Sequence, residues 1–184
     1  QFYFKMEKVA FLSNVADTEE FLKKEQINYH IQKHEPVFTA PEHSKVVCTQ
    51  DIKFDFTKNM VCKTKSGKFI YYMFPGEAKA DFKAVEKITG EKNVRNADDS
   101  VLNDFLRLKK GEVTPLALLN LSDEDKKSNW IFVVDAALKN EFIAIHPMDN
   151  SYTIWVKKAE ILSLLQQKGV NHKILDADAV SKDL

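Results

Sequence analysis

Cysteine is scarce. Cys48 and Cys62 are the only two in 184 residues, too few for a disulfide framework and without metal-ligand spacing. Reduced thiols in a cytoplasmic protein are the economical expectation. Net charge is also lacking, because 27 Lys+Arg balance 27 Asp+Glu. That excludes the overall basic excess of a protein that coats a long duplex. Any contact with nucleic acid has to be a local patch. The lysine-rich stretch from Lys53 to Lys68 is a candidate, and a solvated hairpin explains it equally well. No apolar run approaches the roughly 18 residues of a membrane span, so no membrane partner is expected. No secretory signal opens the chain, and Ser181-Lys-Asp-Leu184 is neither a peroxisomal nor an ER-retention tail. A P-loop, a dinucleotide fingerprint, a nucleophile elbow and zinc spacing are all missing. Of the five histidines, only His30 and His34 stand four apart, and they lack a flanking glutamate. The spacing therefore argues against a metal, and no cofactor is expected.

The chain does carry alternating apolar runs and helix signals in one continuous domain. Residues 1–16 read as an N-terminal extension, with no weight on Gln1 to Lys5. Residues 17–184 read as a single domain without repeat or linker. Asp17-Thr-Glu-Glu20 and Thr39-Ala-Pro-Glu42 are capping-box-like helix starts. Ala80–Thr89 places Phe82, Val85 and Ile88 on one helical face, with Gly90 to end it. A further helix is expected from Asp98 or Asp99 through Leu106, closed by Gly111. Ile27–Lys33, Phe56–Lys63, Phe69–Phe74, Trp130–Val134, Phe142–Ile145, Tyr152–Val156 and His172–Leu175 read as strands. Val113–Leu119 reads as a buried strand with Pro115 at its mouth. The fold class is α+β, a mixed and largely antiparallel sheet with flanking helices.

Three features could carry chemistry. Lys58-Asn59 opens a strand, where Lys58 shares the more apolar face with Met60 and Cys62. A lysine there either snorkels from a frayed end or aims into a cleft to hold an anion or polarise a carbonyl. Local pattern does not choose between them. Gly111-Glu-Val-Thr-Pro115 is a turn that a helix end and a strand terminator also explain. His146-Pro-Met-Asp-Asn150 closes another strand, where His146 could simply be satisfied by backbone and Asn150 could stabilise a turn.

Taken in order, these features resemble a known family. Val37-Phe-Thr39 after His34-Glu-Pro36, Thr57-Lys-Asn59, Gly111-Glu-Val-Thr-Pro-Leu-Ala-Leu-Leu-Asn120 and His146-Pro-Met-Asp-Asn150 are similar to the YbaK-like aminoacyl-tRNA editing family. The branch most resembled is that of alanyl-tRNA(Pro) deacylases and prolyl-tRNA synthetase-associated editing domains. The resemblance spans Asp17 to Leu175 and implies a YbaK-like fold. It implies hydrolysis of the ester of mischarged tRNA(Pro), most of all alanyl-tRNA(Pro), as proofreading for prolyl-tRNA synthetase in cis or in trans. The expected partners are the tRNA(Pro) acceptor end and that synthetase. Lys58, Gly111, Pro115 and His146 are then the catalytic candidates. Asn59, Val37, Phe38, Met60, Val113, Thr114 and Asn150 are the substrate-binding candidates. In this family the 2′-OH of the terminal adenosine is thought to assist the reaction, so no triad is expected. Met148-Asp149 departs from the smaller or apolar residues of relatives, which leaves the target amino acid open. The alternatives are a deacylase for Cys, Ser or Thr, and a non-catalytic tRNA-binding or docking domain.

Overall fold

A long strand that changes partners partway along its length positions everything else. The computed structural model describes residues 11–47 and 51–176; Cys48 and the C-terminal Ser181–Leu184 lie outside them. In chain order the regular elements are α1 (Val15–Lys24), β1 (Tyr29–Lys33), α2 (Ala40–Val46), β2 (Phe54–Lys63) and β3 (Phe69–Pro75). They continue with α3 (Phe82–Thr89), β4 (Arg95–Asn96), α4 (Asp99–Val101), β5 (Trp130–Asp135), β6 (Phe142–Ile145), β7 (Tyr152–Lys157), α5 (Lys158–Gln167) and β8 (His172–Leu175). The sheet runs β1-β7-β6-β2-β3-β5-β8, with β4 paired to β2 off that path. The β1–β7, β6–β7, β2–β3 and β2–β4 pairings are antiparallel, whereas β2–β6, β3–β5 and β5–β8 are parallel. The sheet is mixed, as the sequence suggests.

Strand β3 has no polar alternation because both of its faces are covered. Tyr71 and Met73 join the main core with Phe132, Ile143, Ile154, Ile161 and Leu165. Ile70, Tyr72 and Phe74 join a second core, under α3, with Cys62 and Val85. Strand β2 follows the same alternation, with Val61 in the first core and Cys62 in the second.

Several local expectations are corrected. Helix α1 is capped by Asn14, whose side chain accepts from Asp17 N at 2.9 Å, so the helix starts before Asp17. Val113–Leu119 is not a strand. Pro115–Asn120 forms a 3-10 helix, with proline in its first turn and every residue buried. An apolar segment enclosed on all sides has no amphipathic period to reveal its geometry. The helix from Asp99 runs through α4 into a π turn at Leu102–Leu106 and stops at Arg107, which adopts φ 61°. It does not reach Gly111.

Asn120 locks this 3-10 helix in place. Its buried side chain accepts from Leu12 N at 2.9 Å and donates to Leu12 O at 2.8 Å and Leu106 O at 3.1 Å. Truncation strands three backbone groups away from water, each costing about 1–3 kcal/mol. Asn120→Ala is expected to lower unfolding stability by about 2–4 kcal/mol, read from urea midpoints. A change below about 0.5 kcal/mol, the size typical of surface substitutions, would show that the clamp is not needed.

Candidate active site

Residues Phe54–Phe56 of β2 pair with β6, and Cys62–Lys63 pair with β4. Between those two partners, one edge of β2 is uncovered. Strand backbone groups alternate sides, so two bonds fix which residues face the opening. Phe56 O accepts from Gly76 N on the β3 side, and Val61 O accepts from Ala97 N on the other. Thr57, Asn59 and Val61 therefore turn their main chains away from β3. Thr57 sits beside β6, where its hydroxyl donates to Ala144 O at 3.0 Å, and Val61 meets Ala97. The N–H and C=O of Asn59 face the gap with no strand opposite. Its side-chain Nδ2 donates to Thr57 Oγ1 at 3.2 Å, while its Oδ1 is buried without a hydrogen-bond partner. An orphaned acceptor at an open strand edge is costly unless something arrives to use it.

A cavity of about 460 Å³ lies along this edge. Lys58 borders it from the other face of β2, and its Nζ sits 5.8 Å from the Phe74 ring centroid. The ammonium is exposed and forms no salt bridge with a carboxylate among the described residues. The two local readings of Lys58 thus merge: its stem follows apolar surface, and its charge stands uncommitted at the mouth of a cleft.

The opposing material comes from the 34–39 segment. Val37 N donates to Asn150 O at 3.1 Å, and Asn150 Nδ2 donates to Val37 O at 3.0 Å. Glu42 accepts from Phe38 N at 2.8 Å and Thr39 N at 3.1 Å, completing the expected capping box of α2. So anchored, Phe38 stays 67% exposed at the cavity. It also lies over Gly111. A Cβ on Gly111 would sit 2.8 Å from Phe38 Cδ1 and 3.1 Å from Asn150 Nδ2, and φ there is +91°. Glycine is required on both counts.

The structure brings Lys58, Asn59, Met60, Val37, Phe38, Gly111, Val113 and His146 to one cavity. Pro115, Thr114 and Asn150 do not line it. Pro115 starts the buried 3-10 helix, Thr114 is fully buried with its hydroxyl unpartnered, and Asn150 acts through Val37. Met148 packs in the main core and does not line the cavity.

Sequence reading missed Thr57, Asp99 and His43 as lining residues. His43 had no local signal, because tertiary packing alone brings it to His34 and His146. The His43 ring centroid lies 5.7 Å from that of His34 and 4.8 Å from that of His146. Burial pushes His43 down to about 3, and the neighbouring histidines add to the shift. Burial also lowers His146, against a backbone hydrogen bond to Tyr152 that raises it. His43 is thus a neutral imidazole near neutral pH.

Comparison with known proteins gives the family. The aminoacyl-tRNA editing domain matches residues 34–164, which include every cavity residue just described. The chain belongs to the aminoacyl-tRNA editing domain family. The editing domain is 27% identical over 154 residues to the prolyl-tRNA editing protein ProX of Acetoanaerobium sticklandii, covering 82% of this chain and 90% of that one. It is 29% identical over 165 residues to prolyl-tRNA synthetase associated domain-containing protein 1 of Danio rerio, covering 88% and 86%. A solved structure described as a proposed trans-editing enzyme for prolyl tRNA synthetase superposes with TM-score 0.60. At 14% identity over 90% of this chain and 98% of that one, it shows a shared fold. No helix among the described residues of the editing domain is long and apolar enough to cross a membrane.

Proposed function

We propose that this editing domain is an aminoacyl-tRNA deacylase that hydrolyses the ester of mischarged tRNA(Pro), with alanyl-tRNA(Pro) as its main substrate. The observation that carries the reading is the convergence of an unpaired lysine, a side-chain-free glycine wall and the open Asn59 edge on one cavity. A pocket built for proline rejects a smaller amino acid by only about 1–3 kcal/mol, so prolyl-tRNA synthetase needs a second site that excludes proline by size. Here Val37, Phe38 and Val113 supply the apolar walls of that sieve. Lys58 holds the terminal phosphate or orients the ester at the mouth. The Asn59 carbonyl and Oδ1 are acceptors suited to the α-ammonium group, and its N–H and the main chain at Gly111 can face charge developing on the carbonyl oxygen without reorganising.

In the reaction, water adds to the ester carbonyl, and the tetrahedral intermediate expels the ribose oxygen. That oxygen takes up a proton, leaving free amino acid and tRNA. We assign assistance in the reaction to the 2′-OH of the substrate and no proton-abstracting role to Lys58. His146 positions the pocket through its bond to Tyr152 O. The enzyme acts in trans or as part of a synthetase, and meets the acceptor end through the lysines about its mouth.

A deacylation panel of alanyl-, cysteinyl-, seryl- and prolyl-tRNA(Pro) tests the reading. The expected order is fastest release of alanine, with prolyl-tRNA(Pro) at least about tenfold slower, as one or two methylenes allow. Uniform inertness toward all four, with uncharged tRNA still bound, would favour a docking domain instead.

A further inference from the structure

Beside the cavity His146 stands in a cluster with two histidines, His34 and His43, to which the proposed deacylation gives no role. His34 follows β1, His43 stands on α2 and His146 follows β6. One nitrogen from each ring falls within 4.8 Å of the others. Their hydrogen bonds settle much of their chemistry. A carbonyl can only accept, so His146 Nδ1 donates to Tyr152 O at 2.8 Å and His34 Nδ1 donates to Glu35 O at 2.7 Å. On both rings the nitrogen left to face a ligand is therefore Nε2. Thr153 lies between the other two: its hydroxyl meets His34 Nε2 at 2.8 Å and also bonds His43 Nε2. Since His34 Nε2 accepts the hydroxyl proton, His43 Nε2–H donates to the hydroxyl oxygen. The second nitrogen of His43 and Nε2 of His146 make no hydrogen bond among the described residues.

We propose that His34, His43 and His146 form a binding site for a divalent transition metal of the zinc class. Three imidazoles whose other ring nitrogens face two carbonyls and a hydroxyl have the outer-shell pattern of metal-binding histidines. An all-imidazole donor set suits zinc, cobalt, nickel or copper, and it does not suit calcium or magnesium. A tetrahedral ion with bonds of about 2.0–2.1 Å needs its nitrogens about 3.3 Å apart, so nitrogens spread by up to 4.8 Å close by about 1.5 Å at most as the Thr153 hydroxyl proton swings from His34 while its oxygen goes on accepting from His43. His43 and His146 also line the cavity, so a fourth ligand position on this side is open to water or to a substrate oxygen. Nothing in this site depends on the protein acting on tRNA.

Cobalt(II) titration of the chelator-treated full chain, followed by visible absorption, tests the assignment. The expected result is a d–d band that saturates at one equivalent and is removed by added zinc. His43→Ala and His34→Gln should each weaken cobalt binding by about 100-fold or more, because losing even an outer-shell partner costs 10–100-fold. His30→Ala, on exposed β1 surface, should leave it unchanged. Two variants guard against a misfolded His43→Ala. Absence of a stoichiometric band in the wild-type chain, or wild-type affinity retained by both ligand variants, overturns the site.

Discussion

Replacing Lys58 by alanine is expected to slow deacylation of alanyl-tRNA(Pro) by about two orders of magnitude, the cost of a substrate held about 1 Å out of place. The fold should hardly notice. Lys58 is exposed, and among the described residues its ammonium meets the Phe74 ring at 5.8 Å and no carboxylate, a contact worth about 0.5–1 kcal/mol at such a site. Stability and activity thus separate at this residue, which few cavity positions permit. Single-turnover deacylation beside a urea melt reads both quantities. Lys58→Arg sharpens the result: a charge that merely anchors phosphate is partly replaced by arginine, whereas one that orients the ester by its compact ammonium is not. Undiminished hydrolysis by Lys58→Ala would remove the lysine from the mechanism.

Gly111→Ala should be nearly as damaging, for a different reason. The new methyl meets Phe38 at 2.8 Å and the Asn150 amide at 3.1 Å, on a backbone held at φ +91°. Backbone strain alone costs about 1–3 kcal/mol. The collision then pushes on the two residues that set the far wall, because Asn150 holds Val37 through bonds in both directions. The wall must move, so kcat/KM should fall by more than about tenfold, as a displacement near 1 Å away from the chemistry can cost 100-fold. Phe38→Ala in the Gly111→Ala background should recover part of that loss by clearing the nearer contact. A double variant no better than the single one would place the damage in the backbone alone.

Much of this site was legible because its parts lie in short motifs with local signatures. The Thr39–Glu42 capping box, the β2–β3 hairpin and the strands ending at Ile145 and Leu175 follow from residue pattern and stand where expected. What pattern could not supply was contact at long range. His43 was invisible as a site residue, since nothing near it in sequence distinguishes it from a surface histidine on a helix. Strand β4 is two residues long, below any period that alternation can reveal. Pro115–Asn120 was misread because total burial erases the difference between strand and helix patterns. The open edge at Asn59 could not be foreseen either, because it depends on where β6 ends and β4 begins.

The partner change along β2 also bears on how the molecule is made. The β2–β3 hairpin is local and can close as soon as Pro75 is in place. The same strand meets β6 only when Phe54 finds Phe142, and Asn150 reaches Val37 from still farther along the chain. Contacts of such separation form slowly, because chain closure comes before its reward. The cavity wall that Asn150 anchors is therefore expected to assemble late, after the local hairpin that carries Lys58.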